Sequence, residues 1–179
     1  MDAIVSEASR SWGSRIAGRF RHDCVVNDIH SQLNATNVAR VLRPRATGEL
    51  QELVAAASGA GQSLSFCGGR HAMGGQQFGT GVTLVDMAAL NRVIDVDRER
   101  GLVTVEAGID WVQLINHLLW TFADQPDGWG IIQKQTGADH LTLGGALAAN
   151  IHGRGLRHRP LVGDIESFTI VDAAGNREI

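Results

Sequence analysis

No tyrosine occurs in the 179 residues and only 5% are aromatic, which removes the stacking platform on which proteins hold single-stranded nucleic acid. A basic excess is missing too. Sixteen Lys and Arg against nineteen Asp and Glu give a net charge of −3 and a pI near 6.1, too little positive field to hold a polyanion or an anionic membrane. No window approaches the roughly 18 apolar residues of a spanning helix, and the opening MDAIVSEASRSWGSRIAG has no apolar centre of a signal peptide. These absences lead us to expect a cytoplasmic protein with no membrane span and no nucleic-acid partner. Cysteine is scarce: Cys24 and Cys67 stand far apart without a CxxC, so reduced thiols are expected rather than a disulfide. His140, His152 and His158 are spaced by twelve and six, with no helical metal-binding face, so no metal site is expected.

The one excess is glycine, at 22 residues in a chain that is 44% apolar and long enough for a sizeable core. Residues 1–37 read as an N-terminal arm, with a short helix through Trp12, Ile16 and Phe20. In VARVLRP a strand ends at Pro44. Thr47 is the expected N-cap of a helix with Leu50, Leu53, Val54 and Ala57 on one face, closed by Gly59 and Gly61. SLSF (63–66) follows as a strand, so a βαβ unit with parallel pairing is expected. VTLVDM, RVIDVD and LVTVEAG read as a small meander, and Asp110 as the cap of a helix running to about Trp120, with Trp111 and Trp120 in its packing. TLGGALAAN reads as a short helix, and FTIVD as a strand entering a hairpin whose partner is cut short.

Two glycine segments carry the chemistry. The first, SFCGGRHAMGGQQ (65–77), follows a strand; glycines there permit positive φ and close approach of phosphate oxygens to backbone N–H groups. The second, QTGADHLTLGGALAANIHGRG (135–155), places a helix N-terminus at Gly144 and Gly145, where an anion is favoured. No GK pair exists for a Walker loop, and neither segment has the G-x-G-x-x-G spacing of a Rossmann turn. Two such segments are expected to grip one extended ligand. Arg154, Arg157, His158 and Arg159 read as a solvated loop.

The ordered series GGRHAMGGQ, VEAG, TLGGALAANIHGRG and VGDIESFTIVDAAG resembles the FAD-binding domain of the vanillyl-alcohol oxidase and p-cresol methylhydroxylase (PCMH) type of flavoproteins. The resemblance covers about residues 38–179. The HG after LAAN is most similar to sugar-alcohol and aldonolactone oxidases and to decaprenyl-phosphoribose oxidase-like proteins. It implies FAD as cofactor, its pyrophosphate wrapped by Cys67, Gly68, Gly69, Arg70, His71, Ala72, Met73, Gly74, Gly75 and Gln76. Along the ribityl chain and ring system it implies Gly137, Thr142, Leu143, Gly144, Gly145, Asn150, Ile151 and His152, with Ile165 near the adenine. His71 stands where many members tether the flavin. It either forms that bond or donates a hydrogen bond to the cofactor. No cysteine in 137–145 offers a second tether. His152 is expected on the flavin side, and no catalytic base is identified.

The implied fold is an α+β, PCMH-type FAD-binding domain in two α/β subdomains, about 38–90 and 91–179, truncated at the C-terminus. The implied function is FAD-dependent oxidation of a CH–OH group on a small sugar-like or polyol alcohol by hydride transfer to flavin N5. A C-terminal substrate domain or partner chain is expected to complete it, the fragment alone being inactive. The alternative is a non-catalytic nucleotide-binding or interaction module that kept the scaffold.

Overall fold

The computed structural model describes residues 24–135, 137–155 and 157–179, which divide into two compact units. The expected helix through Trp12, Ile16 and Phe20 lies outside the described residues.

The first unit comprises the chain up to Cys67, then Ala72–Asp86 and Ser167–Ile179. Its parallel sheet joins β3 (Arg40–Leu42), β4 (Leu64–Cys67) and β5 (Thr83–Asp86) in the order β3-β5-β4. The βαβ reading therefore holds with one change: β5 lies between the two strands, and VTLVDM belongs to this sheet, not to a meander. Thr83, Leu84 and Val85 are all buried, as expected of a central parallel strand with no polar face. β1 (Cys24–Val26) pairs antiparallel with β2 (Thr36–Val38), so part of the expected arm is sheet, and Val26 and Val38 join Cys67 and Leu84 in one cluster.

Helix α1 (Thr47–Gly59) buries Leu50, Leu53 and Ala57. Its N-cap is Ala46, not Thr47, and the Glu49 carboxylate takes up the Arg45 N–H at 2.8 Å. Its end matches expectation: Gly61 has φ +62°, and the Gly61 and Gln62 N–H groups close onto Ser58 and Ala57. The final hairpin pairs β8 (Thr169–Asp172) with β9 (Gly175–Glu178), so FTIVD has its partner within the chain, and these residues group with the first unit.

The second unit comprises Gly68–His71 and Met87–Glu166. β6 (Val93–Asp97) and β7 (Leu102–Val105) form a bulged antiparallel hairpin. Helix α2 (Trp111–Thr121) starts in a capping box: Asp110 accepts the Gln113 N–H at 2.8 Å, and the Gln113 side chain accepts the Asp110 N–H at 3.0 Å. Such a cap contributes about 1 kcal/mol. Trp111, Leu114 and Leu118 face a core with Ile109, Phe122, Ala146 and Leu161. Each large apolar side chain buried there stabilises by about 1.5–3 kcal/mol. Trp120 departs from expectation; it is 83% exposed.

Glu106 ties β7's exit to the turn before β6. Its carboxylate accepts from the Arg92 backbone N–H at 2.8 Å and from the guanidinium at 2.7 and 3.1 Å. The Arg92 side-chain hydrogen bonds hold this carboxyl below its ordinary value against the effect of burial. A depressed carboxyl contributes stability above its unfolded pKa and loses it as pH falls. Arg92→Ala is therefore expected to lower the urea midpoint at pH 7, with the gap to wild type closing as pH drops below about 4. Urea unfolding at pH 7 and pH 3.5 checks this.

Candidate FAD site

The first glycine loop is shared between the units: Gly68–His71 belong to the second, Ala72–Gln76 to the first. In the second unit its opening residues press on the second glycine segment. A Cβ on Gly68 would lie 2.1 Å from Thr142 Oγ1, and one on Gly69 would lie 2.5 Å from the His140 carbonyl oxygen. The side chains missing at these two positions thus make room for the chain itself, where the sequence suggested a phosphate.

Thr142 is 4% exposed and caps α3 (Leu143–Ala148), with Oγ1 accepting the Gly145 N–H at 3.3 Å. A bridge between Asp110 and Thr142 joins this cap to that of α2. The Asp110 carboxylate also lies 3.0 Å from His140 Nδ1, a pair no motif announced.

The start of α3 differs from expectation. Its first N–H groups are already taken: Leu143 donates to the Ile109 carbonyl and Gly144 to that of Ala107, both at 2.8 Å, and Gly145 to Thr142. An anion is not held by these groups. Gly144 is pinned as well, since a Cβ there would lie 2.9 Å from the Ala107 carbonyl oxygen. Gly145 differs. It is exposed, and a Cβ would meet only its own cap, Thr142 Oγ1, at 3.0 Å. Gly137, with φ +80°, faces open space.

The donors for an anion lie instead in the loop. Among the described residues, no acceptor within the chain takes the N–H groups of Gly69 and Arg70, and Arg70 has φ +57°. A left-handed residue in a run of free N–H groups is the geometry of an anion-binding nest. These residues fit a pyrophosphate. The His71 ring folds back towards Gly69, where a Cβ would come 2.8 Å from Cδ2, and its Nε2 is shielded from solvent.

Leu143, Ile151 and Ile165 are partly buried and pack against the second unit's core. Asn150 has φ +43° and its Oδ1 accepts the Val162 N–H at 3.3 Å. His152 is exposed, with Nδ1 3.0 Å from the Gly153 carbonyl. Arg154, Arg157, His158 and Arg159 are exposed.

In the first unit, Gly74 donates its N–H to Gln76 Oε1 at 3.1 Å, and Gly75, at φ +70°, donates to the Ala72 carbonyl at 3.3 Å. Asn34 donates to the Met73 carbonyl at 2.6 Å. The loop that carries Asn34 was not singled out from the sequence, although its Asn, Asp and Ser content marks a turn. An apolar cavity of about 440 Å³, lined by residues including Leu118, Phe122 and Trp129, contains none of the expected site residues.

Comparison with known proteins gives the family. The FAD binding domain family matches residues 38–178. L-gulonolactone oxidase of Mus musculus is 31% identical over 134 residues, covering 74% of this chain and 28% of the oxidase. L-gulono-1,4-lactone dehydrogenase of Mycobacterium tuberculosis is 33% identical over 135 residues, covering 75% of this chain and 30% of the dehydrogenase. This chain thus spans less than a third of either relative. Among solved structures, an alkyldihydroxyacetonephosphate synthase superposes with a TM-score of 0.71 over 95% of this chain and 38% of its own, at 20% identity, a likeness of fold. With the nest, the crossed glycine segments and a match over most of its length, the chain belongs to the FAD binding domain family, of PCMH type, and FAD is its cofactor.

Proposed function

We propose that the chain is the FAD-binding part of a flavin-dependent oxidoreductase that oxidises a CH–OH group of a sugar-like or polyol substrate. The observation that carries the reading is the seating of Gly68 and Gly69 on Thr142 and His140, which holds the N–H groups of Gly69 and Arg70 beside the exposed segment of Gly145. When bound, FAD supplies a hydride acceptor for the alcohol carbon. The chain's own residues bind and orient. The N–H groups of Gly69 and Arg70 would hold phosphate oxygens, and the backbone of 142–145 and 150–152 would line the rest of the cofactor. The names of the two lactone relatives support the substrate class.

His71 is assigned a hydrogen-bonding role, without a covalent bond to the flavin. Its ring is folded against Gly69, and its Nε2 is shielded. An absorption spectrum taken before and after acid precipitation of the FAD-loaded chain checks both points. The flavin bands are expected with the protein and then in the supernatant. Bands that stay with the pellet in wild type and vanish from it in His71→Ala would make His71 the tether instead. A chain that cannot be loaded would sink the FAD reading.

A further inference from the structure

The loop 27–34 is organised around one carboxylate. Asp28 is 2% exposed, yet it takes five donors. Oδ1 accepts the backbone N–H groups of His30 at 3.0 Å, Ser31 at 2.6 Å and Gln32 at 3.3 Å. Oδ2 accepts Ser31 Oγ and Asn34 Nδ2, both at 2.8 Å. Asn27 closes the loop: its Oδ1 accepts from the N–H groups of Asp28 and Asn34, and its Nδ2 donates to the Gln32 carbonyl.

The Asn34 amide has two hydrogens and three acceptors within reach: Ser31 Oγ lies 3.2 Å from Nδ2 and itself lies 3.3 Å from the Met73 carbonyl, but the two shorter bonds use both hydrogens. One goes to Asp28 Oδ2, the other to the Met73 carbonyl at 2.6 Å, across to the glycine loop. A carboxylate and a carbonyl, which only accept, on one nitrogen fix which way the amide points. The contact is tight on the loop's side too: a Cβ on Gly75 would lie 2.9 Å from Asn34 Cβ. An ionised carboxylate only accepts, so only Asp at position 28 forces this orientation. An asparagine there would turn a donor on Asn34, and a flip of Asn34 to relieve it would take the N–H away from Met73. Burial pushes the Asp28 carboxyl up, but the hydrogen bonds from Asn34 and Ser31 outweigh this and hold it well below the usual carboxylate range. It stays ionised at neutral pH.

We propose that Asp28 is a positioning residue for the cofactor: its buried carboxylate orients the Asn34 amide, Asn34 holds the Met73 carbonyl, and residues 72–76 are thereby set for FAD. The cofactor half of this statement rests on the FAD reading together with the contact of 72–76 that the family resemblance implies; the loop-holding half does not. Asp28 touches no part of the ligand in this scheme and acts through Asn34.

The test combines amide hydrogen exchange on the apoprotein with FAD titration, for wild type, Asn34→Ala and the swap Asp28→Asn/Asn34→Asp. The swap keeps a donor and acceptor paired inside the 27–34 loop but leaves the Met73 carbonyl facing an acceptor. In Asn34→Ala, exchange at 72–78 is expected to rise and FAD affinity to fall about tenfold, the worth of one hydrogen bond to a pre-set loop. In the swap, 27–34 regains protection, while 72–78 stays fast and FAD stays weak. A purely structural role for Asp28 predicts the opposite, with affinity recovering alongside the 27–34 loop. Unchanged exchange at 72–78 in Asn34→Ala, or wild-type affinity in the swap, would overturn the proposal. If wild type fails to bind FAD while exchange responds as expected, the cofactor reading falls and the hold on the loop stands.

Discussion

Replacing Gly108 by alanine is expected to destabilise the second unit by about 3 kcal/mol or more, at the upper end of the cost of overpacking. The added Cβ would sit 1.9 Å from the Met87 carbonyl oxygen and 2.6 Å from that of Leu90. Both are backbone atoms, so no rotamer change relieves them. Both are also engaged, Met87 by the Leu90 N–H at 2.9 Å and Leu90 by the Gly108 N–H at 2.7 Å. Accommodation means breaking the 87–90 turn against which 106–109 closes. For a chain of this size the loss corresponds to about 6–12 °C in melting temperature. A thermal melt within 2 °C of wild type would contradict the packing described for this turn.

The second large effect concerns the crossing of the two glycine segments. Gly68→Ala is expected to cost about 2–4 kcal/mol and to weaken FAD binding, because its Cβ would displace Thr142 Oγ1 from the cap of α3. Thr142 is buried and β-branched, so it has little freedom to turn away. A double-mutant cycle isolates the contact: Thr142→Ala alone is expected to lose about 1 kcal/mol through the cap, and in that background Gly68→Ala becomes much cheaper. Additive costs would mean that the two residues do not meet. Gly145→Val supplies the contrast. With only Thr142 Oγ1 within reach, it is expected to unfold near wild type yet to bind FAD at least about tenfold more weakly, because its side chain enters the face left for the cofactor.

The sequence carried its local signals well. Asp110 with Gln113, and Gly61 after α1, act through neighbours within a few residues, and both ends lie where their chemistry put them. The series of glycine motifs carried the family. Features that depend on distant partners were not legible. The strand 83–86 is short and wholly buried, so no alternation betrayed that it fills the centre of a parallel sheet. Gly68 and Gly69 looked like room for a phosphate because nothing local shows that Thr142 and His140 occupy that room. The N–H groups of α3 looked free because their acceptors, Ile109 and Ala107, lie on another stretch of chain. In the same way nothing near Asp28, Ser31 and Asn34 in the expected arm shows that the carbonyl held by Asn34, Met73, lies 39 positions beyond it.

Titration of FAD into the purified chain, followed by flavin fluorescence, tests whether these residues form a cofactor cradle. Saturation at one FAD per chain is expected for wild type, with much weaker binding in Gly145→Val at equal fold stability. A wild-type chain that unfolds cooperatively but shows no saturable FAD binding would contradict it.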